Sequence, residues 1–143
     1  MCFDDFKIGD TYKLKPVVIT EEQISSFAKQ YDPLPHHMDE AFASQTKFGG
    51  IIAPGVMSFM AVWAEFVKLS VWTDHLVAGK STKIEWLSPV YAGDTLSGEV
   101  EVTGLEKNNP HTGTVTITVH IYNQDRVYVI RDITEAVVRT RRK

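Results

Sequence analysis

Cysteine is nearly absent from these 143 residues, Cys2 being the only one. A lone thiol closes no intramolecular disulfide, and thiolates cannot build a zinc site here. A reducing compartment, the cytoplasm, is therefore expected. Long apolar runs are lacking too. The most apolar stretch, Val56 to Ala64, stops at Glu65 and Lys68, well short of the ~20 residues that a membrane span needs. The N-terminus, Met1-Cys2-Phe3-Asp4-Asp5, is acidic and has no apolar run, unlike a secretory signal. There is no basic excess: 15 Lys and Arg stand against 18 Asp and Glu, for a formal net charge of -3. Neither nucleic acid nor a membrane is an expected partner. The one basic cluster, Arg139, Arg141, Arg142 and Lys143, reads as a solvated tail. No internal repeat or low-complexity linker interrupts the chain. A hydrophobic fraction of 43% and a charged fraction of 23% are those of an ordinary globular protein, and the length suits one domain over residues 1–143.

The hydrophobic periodicity divides the chain in two. Thr11 to Ile19 reads as a short strand. Thr20 with Gln23 has capping-box spacing, and Ile24, Phe27, Ala28 and Tyr31 follow at helical intervals. Asp32-Pro33-Leu34-Pro35 ends that helix, because proline removes donors and disfavours helix before it. Asp39 can cap a short turn through Phe42 and Ala43. After Phe48-Gly49-Gly50, a helix opening near Pro54 carries apolar residues on nearly every side as far as about Trp72, and such a helix is expected to be buried. At 1.5 Å per residue it would run roughly 30 Å. The remainder alternates as strands: Lys80 to Leu87, Leu96 to Leu105, Thr114 to Tyr122 and Val127 to Val138. A sheet with one face on a helix is an α+β layer architecture. The expected form is a curved antiparallel sheet wrapped around the long helix, the hot-dog arrangement.

Two polar features stand out. Asp32 and His37 lie five apart across a proline-stiffened loop, where a carboxylate and an imidazole meeting at one water would make an acid–base pair. The same spacing also fits a helix end beside a surface histidine. Gly49-Gly50-Ile51-Ile52-Ala53-Pro54-Gly55 leads into the long helix. Free N–H groups at a helix start can stabilise an oxyanion; the same glycines also fit a turn that needs them for its own sake. His36 on an extended loop would point away from His37, and Asp39 suits a cap better than catalysis. His75, His111 and His120 fall in turn or strand positions. No histidine–carboxylate cluster has metal-ligand spacing, so neither a metal nor a cofactor is expected.

Taken together, these segments resemble a known family. Asp32-x-x-Pro35-x-His37-x-Asp39, then Phe48-Gly49-x-x-Ile52-Ala53-x-Gly55, is similar to the motif of the MaoC-like (R)-specific enoyl-CoA hydratases. Leu87 to Leu96 and Asn123-Gln124-Asp125 resemble that family as well. The resemblance implies that Asp32 and His37 bind a catalytic water and that the Gly55 N–H holds a thioester carbonyl. It implies a substrate carried by coenzyme A or by acyl carrier protein, with Tyr31, Ala53 and Pro54 at the substrate, and a homodimer or higher homo-oligomer. It leaves two rivals, a thioesterase and a non-catalytic acyl-CoA binding module. The chain departs from the pattern at Leu34, where many members carry asparagine or glutamine, at Pro54, where many carry histidine or serine, and at Met60, where some carry serine.

Overall fold

The computed structural model describes residues 1–141. Arg142 and Lys143 of the basic terminal cluster lie outside the described residues. Arg141 is paired with Asp5, and the Arg139 guanidinium donates to the carbonyl of Asp74. This part of the expected solvated tail is therefore held against the body of the protein.

A 3-10 turn at Phe3–Asp5 leads into β1 (Thr11–Lys13) and β2 (Val17–Val18). The single strand expected from Thr11 to Ile19 is thus split, with Pro16 in the gap, where it has no N–H to give to a ladder. Then come α1 (Glu21–Tyr31), α2 (Pro35–Met38), α3 (Glu40–Ala43) and α4 (Gly55–Lys68). The chain finishes with β3 (Leu76–Trp86), β4 (Thr95–Lys107), β5 (Thr112–Tyr122) and β6 (Tyr128–Arg139). The sheet is antiparallel in the order β1-β4-β5-β6-β3, with β2 also paired to β4. Leu96, Val100 and Val102 of β4 join Val115, Ile117, Val119 and Ile121 of β5 in the core, all at most 1% exposed. This is the hot-dog arrangement that the sequence leads one to expect.

Helix α4 lies on that concave face. It buries Met57, Ser58, Phe59, Val62 and Phe66, and complete burial of residues such as Val62 and Phe66 contributes about 1.5–3 kcal/mol each. Gly98 on β4 lets the helix down onto the sheet, since a Cβ there would stand 2.6 Å from Val62 Cγ1. Two expectations about this helix need correction. It ends at Lys68, where Leu69 caps it and Ser70 takes a positive φ of 53°. Its 14 residues therefore span only about 21 Å. Nor is it buried all round: Val56, Met60 and Val67 remain 44%, 49% and 49% exposed. The sheet covers only one side of the helix, so these side chains form an apolar outer stripe on the single chain.

Two polar clusters sit on the sheet. On the concave face, the buried Asp132 of β6 meets Thr82 and Thr134, whose hydroxyls contact its two carboxylate oxygens and each other. The two hydroxyls supply only two hydrogens to these three contacts. Burial pushes the Asp132 carboxyl above the usual range, against the lowering effect of the Thr134 and Thr82 hydrogen bonds. On the convex face, His120 lies between the Tyr128 hydroxyl at 2.5 Å and Glu101 at 3.1 Å.

Candidate active site

Local sequence sets the histidine turn. Helix α1 starts with the capping box, Thr20 Oγ1 accepting from the Gln23 N–H and Gln23 Oε1 from the Thr20 N–H, each at 3.1 Å. It ends at Asp32, whose N–H donates to the carbonyl of Ala28 at 2.9 Å. The segment read as an extended proline loop folds instead into α2. Pro35 stands in its first turn, a position that needs no N–H and suits the fixed φ of proline. Consecutive helical residues point about 100° apart. His36 accordingly turns to the ring edge of Phe42, with centroids 5.1 Å apart, while His37 turns inward. Asp39 closes α2 and caps α3, its Oδ1 accepting from the Phe42 N–H at 3.1 Å.

His37 is 7% exposed. Its Nδ1–H donates to the carbonyl of Ile52 at 2.6 Å, and an acceptor-only partner fixes the proton on Nδ1. Nε2 stands 3.2 Å from Asp32 Oδ2. In the neutral ring Nε2 is an acceptor, and so is a carboxylate. Held 3.2 Å apart, these two acceptors can take the two hydrogens of a single water molecule.

The segment before α4 is pinned on both sides. The Ile52 N–H donates to the carbonyl of His36 at 3.2 Å, and the Ala53 N–H to that of Val90 at 2.7 Å. The Tyr91 hydroxyl reaches the carbonyl of Phe48 at 2.9 Å. Asp94, 7% exposed, accepts from the Tyr91 N–H and from Gln124 Nε2. The later motif segments, Leu87 to Leu96 and Asn123 to Asp125, thus brace the mount of the histidine turn. Pro54 is the N-cap of α4 and offers no side-chain cap, rather than occupying the first turn. Gly55 opens the helix, and its N–H finds no backbone acceptor among the described residues.

Asp32, His37, Ala53 and Gly55 line one cavity of about 550 Å³, together with Trp86 and Ile130, within the range of small-molecule sites. Pro54, expected at the substrate, is buried and is not among the residues lining it. Tyr31 is not brought here. It is 67% exposed, packs on Phe27 and faces a separate groove with Met57 and Met60, because α1 carries it past the cavity. Lys47, Phe48 and Trp86 also line the cavity and were not legible as site residues. Trp86 comes from the end of β3, and only the strand pairing brings it to α4. Among the described residues, no group of three His, Cys, Asp or Glu side chains is placed to hold a metal ion. Among the described residues, no helix is long and apolar enough to cross a membrane.

The chain is similar to known proteins along nearly its whole length. It is 32% identical over 130 residues to the uncharacterized protein YdeM of Bacillus subtilis, covering 90% of this chain and 92% of that protein. It is 27% identical over 139 residues to the (R)-specific enoyl-CoA hydratase of Aeromonas caviae, covering 97% and 98%. The monoamine oxidase regulatory protein of Archaeoglobus fulgidus superposes with a TM-score of 0.94 at 26% identity, covering 99% and 96%. Residues 5–124 match the MaoC like domain. With the family's motif segments forming and bracing a single cavity, and with that match spanning most of its length, the chain belongs to the MaoC-like dehydratase family.

Proposed function

We propose that this protein adds water across the double bond of a trans-2-enoyl thioester to give the (R)-3-hydroxyacyl thioester, or runs the reverse dehydration. The reading is carried by the contact between His37 Nε2 and Asp32 Oδ2 at 3.2 Å, over a cavity that also holds the open N–H end of α4. The Aeromonas caviae relative named above supports the substrate class.

The thioester carbonyl accepts a hydrogen bond from the Gly55 N–H, which makes C3 electrophilic. Asp32 and His37 hold one water. As its oxygen attacks C3, the pair takes a proton from it, and the π electrons move toward the carbonyl as an enolate. The enolate charge rests on the helix-end N–H, where backbone donors and the helix dipole favour negative charge. A proton then passes to C2, and the pair regains its starting state. Because Nδ1–H is committed to Ile52, His37 exchanges protons through Nε2 alone.

The working form is a homodimer. Strand β3 is an edge, with Leu76 and Val77 37% and 53% exposed, and an unpaired edge invites pairing with a second copy.

Hydration of crotonyl-CoA, followed by loss of the conjugated thioester absorbance, tests the reading. Asp32→Asn and His37→Ala should each lower turnover by about 10²–10⁴ with the fold intact by circular dichroism. Near wild-type hydration by both variants would sink it. So would release of free thiol without loss of the double bond, the signature of a thioesterase.

A further inference from the structure

Trp86 stands over Gly55. A Cβ built on Gly55 would meet Trp86 Nε1 at 1.9 Å, Cε2 at 2.4 Å and Cδ1 at 2.5 Å. The indole nitrogen therefore lies within about 3.4 Å of Gly55 Cα. It lines the same cavity as Asp32 and His37. Its position is set by the sheet: Trp86 pairs directly with Ile130 of β6, another residue lining the cavity, and directly opposed residues share a face. The Leu87 N–H donates to the carbonyl of Val129 at 2.8 Å and pins the strand end just beyond.

An indole N–H is a donor only, and among the described residues this one has no hydrogen-bond partner. The ring lies with the nitrogen end of its face over Gly55, so the N–H runs in the ring plane alongside the first open amide of α4. Two donors of different origin, one from the backbone and one from a side chain, thus border the same part of the cavity.

We propose that Trp86 Nε1–H is a second hydrogen-bond donor to the thioester oxygen, acting with the Gly55 N–H. This rests on the hydratase reading above. The indole keeps its proton throughout. Its bond to oxygen strengthens as charge moves from C3 to the carbonyl, so the effect falls mainly on the transition state. Gly55 then has a double role, giving one donor and leaving room for the other.

Trp86→Phe retains an aromatic ring and removes the N–H. With crotonyl-CoA, kcat should fall about 10- to 100-fold, somewhat less than the loss of a principal oxyanion donor, while KM changes less than about threefold. A second measurement reads the carbonyl itself. Cinnamoyl-CoA bound to the Asp32→Asn chain should show a red-shifted absorbance as its carbonyl is polarised, and adding Trp86→Phe should reduce that shift. A Trp86→Phe enzyme with wild-type kcat overturns the inference, as does a slower one with an unchanged shift, since Trp86 would then only fill space. If the unaltered protein neither hydrates crotonyl-CoA nor shifts cinnamoyl-CoA, the hydratase reading fails first and takes the inference with it.

Discussion

Gly55→Ala should cripple the site while sparing the fold, and the reason lies across the cavity in Trp86. The added methyl carbon would sit 1.9 Å from the indole nitrogen, where ordinary contact needs about 3.5–4.0 Å. Two further ring atoms are within 2.5 Å, so a small tilt does not clear the clash and the indole must swing outward. Trp86 is already 56% exposed. Losing its remaining buried surface, on the order of 100 Å², costs at most about 2.5 kcal/mol. Gly55 has no positive φ, so alanine there returns about 0.4–1 kcal/mol by restricting the unfolded chain. The net loss, at most about 2 kcal/mol, is tolerable for a typical domain stability of 5–15 kcal/mol. Turnover has no such compensation, because the displaced ring crowds the helix-end N–H. A loss of about 10²–10³ is expected, the scale of a lost oxyanion donor. A double-mutant cycle on crotonyl-CoA hydration isolates the cause. In a Trp86→Ala background the methyl has room, and Gly55→Ala should cost less than about threefold further. An equal loss in both backgrounds would refute the steric account.

The remaining predictions concern stability and assembly. Asp132 has a folded pKa above its unfolded value. The stability held by its neutral form is therefore complete below the unfolded value and is lost as pH rises through the folded one. Asp132→Asn keeps the shape without the charge, so urea midpoints measured from about pH 4 to about pH 8 should show its advantage over the wild type growing with pH. Parallel curves would refute a titrating Asp132. Sedimentation velocity should give twice the chain mass. A fully active species sedimenting as one chain would refute pairing through β3.

Much of the fold was legible because its signals are local. Thr20 with Gln23, Asp39 before Phe42, and the alternation from Leu96 to Val102 each act within a few residues. The misreadings share another cause. Pro35 in sequence is both a helix stop and a good first helical residue, and only the chain after it decides which. The end of α4 depends on Ser70 turning the chain so that Trp72 can bury against Phe66 and Trp63, a tertiary event. Apolar composition could not say that the sheet covers one side of that helix and leaves Val56 and Met60 outside. At the site, Asp32 and His37 were readable as a close pair, and their side chains do meet. The tautomer of His37 was not readable, since it depends on a carbonyl fifteen residues away. Trp86 was invisible for the same reason on a larger scale, since its neighbour Gly55 is separated from it by a helix and most of a strand.

Ile52 is stitched to the histidine turn twice, giving its N–H to His36 and taking the ring N–H of His37, and Gly55 follows three residues later. Imidazole and helix-end amide therefore ride on a common frame, and a jolt to one is transmitted to the other. A substitution that shifts Ile52 should therefore disturb the acid–base pair and the thioester-binding end together.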